Sequence, residues 1–152
     1  MPGVEAIVNR LLGEVFRGRW SVELVTQTGG EKGKVLRDEI SLRVMGSDGR
    51  WRDLSSFSGG EKVLISEAVK LGLALWSCRN NSAPGAGFGA LYRDEADGAL
   101  SIENAEAYPT MLREALLLGD FWSVYGISHR ASVLEQADAH IVVEGGTARL
   151  VM

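Results

Sequence analysis

Cysteine is nearly absent from this chain: Cys78 is the single thiol in 152 residues. Without a second one there is no internal disulfide framework, and the pattern fits a reducing interior, with Cys78 a core residue near a helix end. Long apolar runs are missing too. None reaches the roughly 18 residues that a membrane span needs, and the opening MPGVEAIVNR has no signal-peptide apolar block. The expectation is a soluble, cytoplasmic chain with no membrane partner. Nor is there an excess of basic charge, since the net charge is −4. Residues 1–62 carry 10 Lys/Arg against 9 Asp/Glu, whereas residues 63–152 carry 6 against 11. A general polyanion binder is excluded, and any contact with nucleic acid has to be local and lie mainly in the first half. Internal repeats and low-complexity tracts are lacking as well.

What is present is a hydrophobic content of 45%, enough for the core of one domain or one lobe of a larger one. From Val4 to Phe16 the apolar residues Ile7, Val8, Leu11, Leu12, Val15 and Phe16 recur at three and four, which predicts an amphipathic helix. WSVELVTQ and VLRDEISLRVM alternate as strands joined through TGGEKG, and GSDG turns the chain again before Trp51, giving an antiparallel meander. VLISEAVKLGLALWS is too long and apolar for a strand and predicts a largely buried helix ending near Cys78. RNNSAPGAGFG is a loop, and the apolar run ALY after it is a buried strand. Ile102 to Leu118 has helical spacing, with Pro109 expected to kink it or begin a second segment. WSVYGIS is another strand, ASVLEQA a short helix, and HIVVE with TARLVM a hairpin across Gly145-Gly146. Strand, helix, strand, helix, strand predicts a parallel layer, so the fold class is α/β with an antiparallel appendage.

Three short stretches carry chemistry. Ser58-Gly59-Gly60-Glu61 fits a capping box at the start of the buried helix. Capping does not require two glycines, and bare backbone there lets an anion approach the N–H groups at the positive helix end. In ALYRDEAD, Asp94 and Glu95 stand just past an apolar strand, where ligands of open α/β sheets bind; one carboxylate can hold Mg²⁺ and its neighbour can activate water. In SVYGISHR, His129 stands at the same sheet edge if the two strands run parallel, and its imidazole could touch a terminal phosphate or position water. Each stretch also has a plain reading: a cap, a solvated loop pair, a surface histidine. His140 opens a C-terminal strand and carries no assigned chemistry. TGGEKGKV is a strand connection and not a phosphate loop, because Thr28 and Val35 break the pattern, and GAGFGA at 85–90 precedes a strand instead of following one.

In this order the stretches resemble the C-terminal lobe of an ABC-type ATPase head of the SMC and SbcC class. LSSFSGGEK resembles the signature motif, ALYRDE the Walker B strand, DGALS the D-loop and ISHR the switch-histidine strand. FRGRWSVELVTQ, DGRWRDLSSFSGGEK and LEQADAHIVV also read like SbcC-type stretches, so the resemblance covers most of the chain. It implies a P-loop NTPase lobe in three parts: residues 1–18 as the helix by which a coiled-coil arm re-enters the head, 19–56 as antiparallel strands, and 57–152 as the α/β core.

The resemblance further implies ATP and Mg²⁺ as cofactors. Asp94 would support the metal, Glu95 would be the general base, and His129 would contact the terminal phosphate. Ser58, Gly59, Gly60 and Glu61 would bind ATP held by an opposing head. The implied partners are the chain's own Walker A lobe, which this sequence lacks, a second head in a homodimer, DNA and an SbcD-type nuclease. The implied location is the cytoplasm, on the nucleoid in a bacterium, or the nucleus in a eukaryote.

Two residues depart from the family pattern. Arg93 stands where an apolar residue usually precedes Asp94, and Ser101 where the D-loop generally ends in Asp. They support a competing reading, a non-catalytic dimerisation or regulatory module of the same fold. A transporter ATPase is disfavoured by SGGEK and by the missing Walker A loop. The first helix is expected to expose its apolar stripe. Trp20, Trp51, Trp76 and Trp122 are expected in the core or at a lobe interface, and Arg17, Arg19, Arg50 and Arg52 are candidates to track DNA phosphates.

Overall fold

The computed structural model describes residues 2–29, 37–81 and 89–152. Residues 30–36, which hold the end of TGGEKG and the start of VLRDEISLRVM, and residues 82–88, which hold most of GAGFGA, lie outside the described residues. Helix α1 (Pro2–Phe16) begins with proline at the first helical position, where its missing N–H costs nothing. The α1 stripe does not stay exposed. Val4, Val8, Leu11 and Leu12 are fully buried and Ile7 nearly so. They pack into one core with α2 (Gly59–Asn81), where Gly72 permits a close crossing: a Cβ added there would lie 2.4 Å from Val8 Cγ2. The spacing that predicts the stripe holds, but its partner is the chain's own second helix, which a periodicity cannot name.

Strands β1 (Ser21–Gly29), β2 (Arg37–Met45) and β3 (Trp51–Asp53) form the antiparallel meander in sequence order, with register from Ser21↔Met45 to Gly29↔Arg37. Val22 and Val44, paired across the ladder, turn into the core beside Trp20. The other side of β1 meets α1. The Asn9 carboxamide accepts from Val22 N at 2.7 Å and donates to Val22 O at 2.9 Å, and Glu5 Oε1 accepts from Leu24 N at 2.7 Å.

β4 (Ala90–Asp94) and β5 (Ser123–Ile127) pair in parallel, from Ala90↔Ser123 to Asp94↔Ile127, joined through α3 (Ile102–Gly119). Ser101 caps α3, its hydroxyl accepting from Asn104 N. Pro109 neither ends nor divides the helix. It removes one backbone bond in the interior, and its ring is buried against the body of the protein, so packing outweighs the break expected from sequence.

The parallel layer stops at two strands among the described residues. After the four-residue α4 (Ala131–Leu134), β6 (His140–Glu144) pairs with β7 (Thr147–Val151) instead of extending β5. Arg113 of α3 anchors this connection, donating to Gln136 O at 2.6 Å and to Asp138 Oδ2 at 3.1 Å. Those bonds hold the Asp138 carboxyl below its ordinary value.

Candidate functional site

The parallel pairing puts the ends of β4 and β5 side by side. Asp94 closes β4, exposed, and the next residue turns sharply: Glu95 adopts φ 45°, in the left-handed region, while its N–H donates to Ile127 O at 2.9 Å. A non-glycine residue there costs about 1 kcal/mol, and here the cost aims the side chain along the sheet edge. Nε2 of His129 donates to Glu95 Oε1 at 2.9 Å, and both side chains are open to solvent. Two of the three residues read from the strand ends are thus in direct contact, with Asp94 adjacent in sequence.

The residues flanking His129 hold that corner rigid. Ser128 Oγ donates to Asp97 Oδ2 at 2.6 Å and accepts from Arg130 N at 3.0 Å. The Arg130 guanidinium donates to the carbonyls of Gly98 at 3.0 Å and Leu100 at 2.7 Å. Asp97 is 2% exposed, so it is a bolt within the turn and not a solvated carboxylate. The sequence reading missed Asp97, Ser128 and Arg130. Their only linear signal was a second acid just beyond Glu95 and polar residues on both sides of His129.

At the start of α2 the capping box is complete. Glu61 N donates to Ser58 Oγ at 3.4 Å, while Ser58 N and Oγ donate to Glu61 Oε2 at 3.1 and 2.8 Å. Arg19 donates to Glu61 Oε1 at 3.0 Å and its guanidinium lies 4.5 Å from the Trp20 ring. Burial raises the Glu61 carboxyl, but the Ser58 and Arg19 bonds outweigh it and hold the group below its ordinary value. The two glycines differ. A Cβ on Gly59 would meet nothing within 4 Å, so that face is open; one on Gly60 would lie 3.1 Å from Ser101 N. Gly60 therefore lets α2 begin hard against the α3 cap, just after the turn that carries Glu95. First-turn amides have no intrahelical acceptor, and the capping box occupies that of Glu61, so those of Gly59 and Gly60 have no acceptor among the described residues.

Arg93, one residue before Asp94, points inward. Its guanidinium pairs with Oε2 of Glu67 on α2, and its Nε donates to Tyr108 Oη of α3 at 3.3 Å. Glu67, 3% exposed, also takes Lys70 Nζ at 2.7 Å and Tyr108 Oη at 3.4 Å. The charge that departs from the family pattern thus has a buried counter-charge, and Ser101 has a role as a cap.

Among the described residues, the other face of the β4–β5 pair is exposed. Tyr92 and Tyr125 stack with ring centroids 5.3 Å apart, Tyr92 is 74% exposed and Trp122 87%. Of the tryptophans, only Trp20 is fully in the core; Trp76 is partly covered and Trp51 is at the surface. Among the arginines considered for DNA, Arg19 is engaged by Glu61 and Arg52 by Asp48. Among the described residues no three His, Cys, Asp or Glu side chains converge as a metal cage, and no helix is long and apolar enough to cross a membrane.

No protein-family description matches the chain, and no curated protein matches it in sequence. Solved structures do match, and they share one architecture. One comes from work on ATP-driven dimerisation and DNA-stimulated activation of SMC ATPases; it superposes with a TM-score of 0.68 at 14% identity, over 99% of this chain and 83% of that one. The SMC head domain from Thermotoga maritima gives 0.66 at 22% identity, over 99% of this chain and 47% of its own. An SMC head bound to the C-terminal winged-helix domain of ScpA gives 0.64 at 14%, over 99% and 42%. The fold is that of the C-terminal lobe of an SMC-type ATPase head. This chain spans less than half the length of the latter two structures.

Proposed function

We propose that this chain is the C-terminal lobe of an ATP-hydrolysing head of the SMC and SbcC class, which turns over ATP when joined to a Walker A lobe and paired with a second head. The observation that carries the reading is the Glu95–His129 contact of 2.9 Å at the ends of two parallel strands. In this reading Glu95 takes the proton of a water that attacks the terminal phosphorus as the bond to the bridging oxygen breaks. His129 steadies the Glu95 carboxylate before ATP arrives and donates to the terminal phosphate afterwards. Asp94, an exposed oxygen donor at the strand end, suits Mg²⁺, which binds through one or two carboxylates plus phosphate oxygens and would neutralise their charge.

The open side of Gly59 supports a grip on ATP presented by the opposing head, with Ser58 and Gly60 beside it. The Ser58 hydroxyl is already committed to Glu61, so it has to turn away from that carboxylate to reach a phosphate. The stacked Tyr92 and Tyr125 face, with Trp122, supports docking of the Walker A lobe, because parallel sheets are covered on both faces. An arm attached at α1, action on DNA and an SbcD-type nuclease are the parts of this reading that rest on resemblance alone.

The competing non-catalytic reading drew on Arg93 and Ser101. Both have internal partners that account for them, so they no longer argue for lost chemistry. The test is ATP turnover by this chain combined with its Walker A lobe, wild type against Glu95→Gln. Turnover lost in the variant with ATP-dependent dimerisation kept supports catalysis here. Equal turnover in both, or none in either despite tight dimerisation, would count against it.

A further inference from the structure

We propose that the buried Glu67–Arg93 pair, bridged by Tyr108, is a positioning link that carries the state of the α2 N-terminus to the Asp94–Glu95 corner. The role rests on the ATPase reading above and goes beyond it by naming how its two halves communicate.

Glu67 sits on the helix whose first turn holds Ser58, Gly59 and Gly60, and Arg93 sits immediately before Asp94. Along β4 the side chains alternate: Leu91 is buried and Arg93 is half-buried on the α2 side, while Tyr92 and Asp94 are exposed. An apolar residue at 93 would pack against α2 through contacts that tolerate sliding. A buried ion pair does not, since its charges are compensated in only one arrangement and displacement leaves a carboxylate unpaired in the interior. Both Glu67 oxygens are used, one by Lys70 and the other by Arg93 and Tyr108, so α2, β4 and α3 are pinned at one point.

Tyr108 Oη takes Arg93 Nε at 3.3 Å and donates to Glu67 at 3.4 Å, so α3 braces the same point. A displacement of α2 on gripping a phosphate therefore moves the strand before the catalytic pair. Because α2 would grip ATP of one head while Asp94 and Glu95 act on ATP of the other, the link couples two nucleotide sites.

The experiment uses the completed head, both lobes together, with Mg²⁺-ATP. Arg93→Leu alone strands a buried carboxylate, so the deciding protein is the double variant Glu67→Leu/Arg93→Leu, in which apolar side chains replace the whole pair. It is expected to fold and to dimerise with ATP, with KM within about twofold of wild type but kcat lowered at least about tenfold, the scale of typical coupling between sites. Arg93→Lys, which keeps the charge, should retain at least about a third of kcat on the same scale. Wild-type kcat in the double variant would overturn the link, as would Arg93→Lys falling as low as the double. A double variant unable to fold would overturn it too, since the pair would then be a structural requirement. Should the wild-type head neither hydrolyse ATP nor dimerise with it, the ATPase reading falls and the link falls with it. Wild-type activity with an unaffected double variant sinks the link alone.

Discussion

His129 and Glu95, 34 residues apart in sequence, meet at 2.9 Å because two parallel strands end at the same level and Glu95 turns left-handed. A pair that acts together should lose function together. In the completed head, Glu95→Gln should lower kcat for ATP by about 10²- to 10⁴-fold and His129→Ala by less, the range for one positioned proton-transfer group. The double variant should be little worse than Glu95→Gln, because residues that act as a unit are not additive. Fully multiplicative losses in steady-state phosphate release would separate the two roles.

The glycines at 59 and 60 should respond in opposite ways. Gly59→Ala adds a methyl group in open space and gains helix propensity, so stability should hold or rise by up to about 1 kcal/mol. Gly60→Ala brings a Cβ to 3.1 Å from Ser101 N, and the backbone there cannot move cheaply, so stability should fall despite the better helix former. Denaturant melts rank the two. ATP-dependent dimerisation should weaken in Gly59→Ala even though the fold is intact.

Removing the cap at Ser58 should be a stability effect with a pH signature. Ser58→Ala takes the hydroxyl's hydrogen bond from the Glu61 carboxylate and its acceptor from the helix end, while the backbone N–H of residue 58 still donates to Glu61, at about 1 kcal/mol near neutral pH. The Glu61 carboxyl lies below its ordinary value when folded, so its contribution is present above the usual glutamate pKa of about 4.3 and is lost as pH falls through the lower folded value. The gap between wild type and variant should therefore narrow in acid. A constant gap from pH 7 to pH 3 in denaturant melts would exclude Glu61 as its source.

Ser128→Ala should destabilise the corner through Asp97. The carboxylate is buried and takes the Ser128 hydroxyl at 2.6 Å, so losing that donor should cost about 1–3 kcal/mol. Hydrogen exchange across residues 95–100 should speed up more than exchange in α1. Uniform loosening would show that the bond is not local to the turn.

Much of this was legible in the sequence because it is written in local spacing. The α1 stripe, the alternation of β1 and β2, the capping box and the apolar runs before Asp94 and His129 all follow from periods and short motifs. What escaped is long-range. The α1 stripe read as exposed because nothing local says that Gly72 lets α2 approach it. Pro109 read as a break because its burial belongs to the packing of α3. Arg93 read as a defect because its counter-charge lies on another element, 26 residues earlier at Glu67. Asp97 was passed over because, in one dimension, a bolt and a solvated acid look alike.

Asn9 offers Val22 one donor and one acceptor, as a neighbouring strand would. Over Val22 and Leu24 the outer edge of β1 is closed by the side chains of Asn9 and Glu5, and a foreign strand finds no free template for addition at those residues. Growth of the sheet from one molecule to the next at this border would first require α1 to peel away, so conditions that fray the N-terminal helix should also be those that start aggregation.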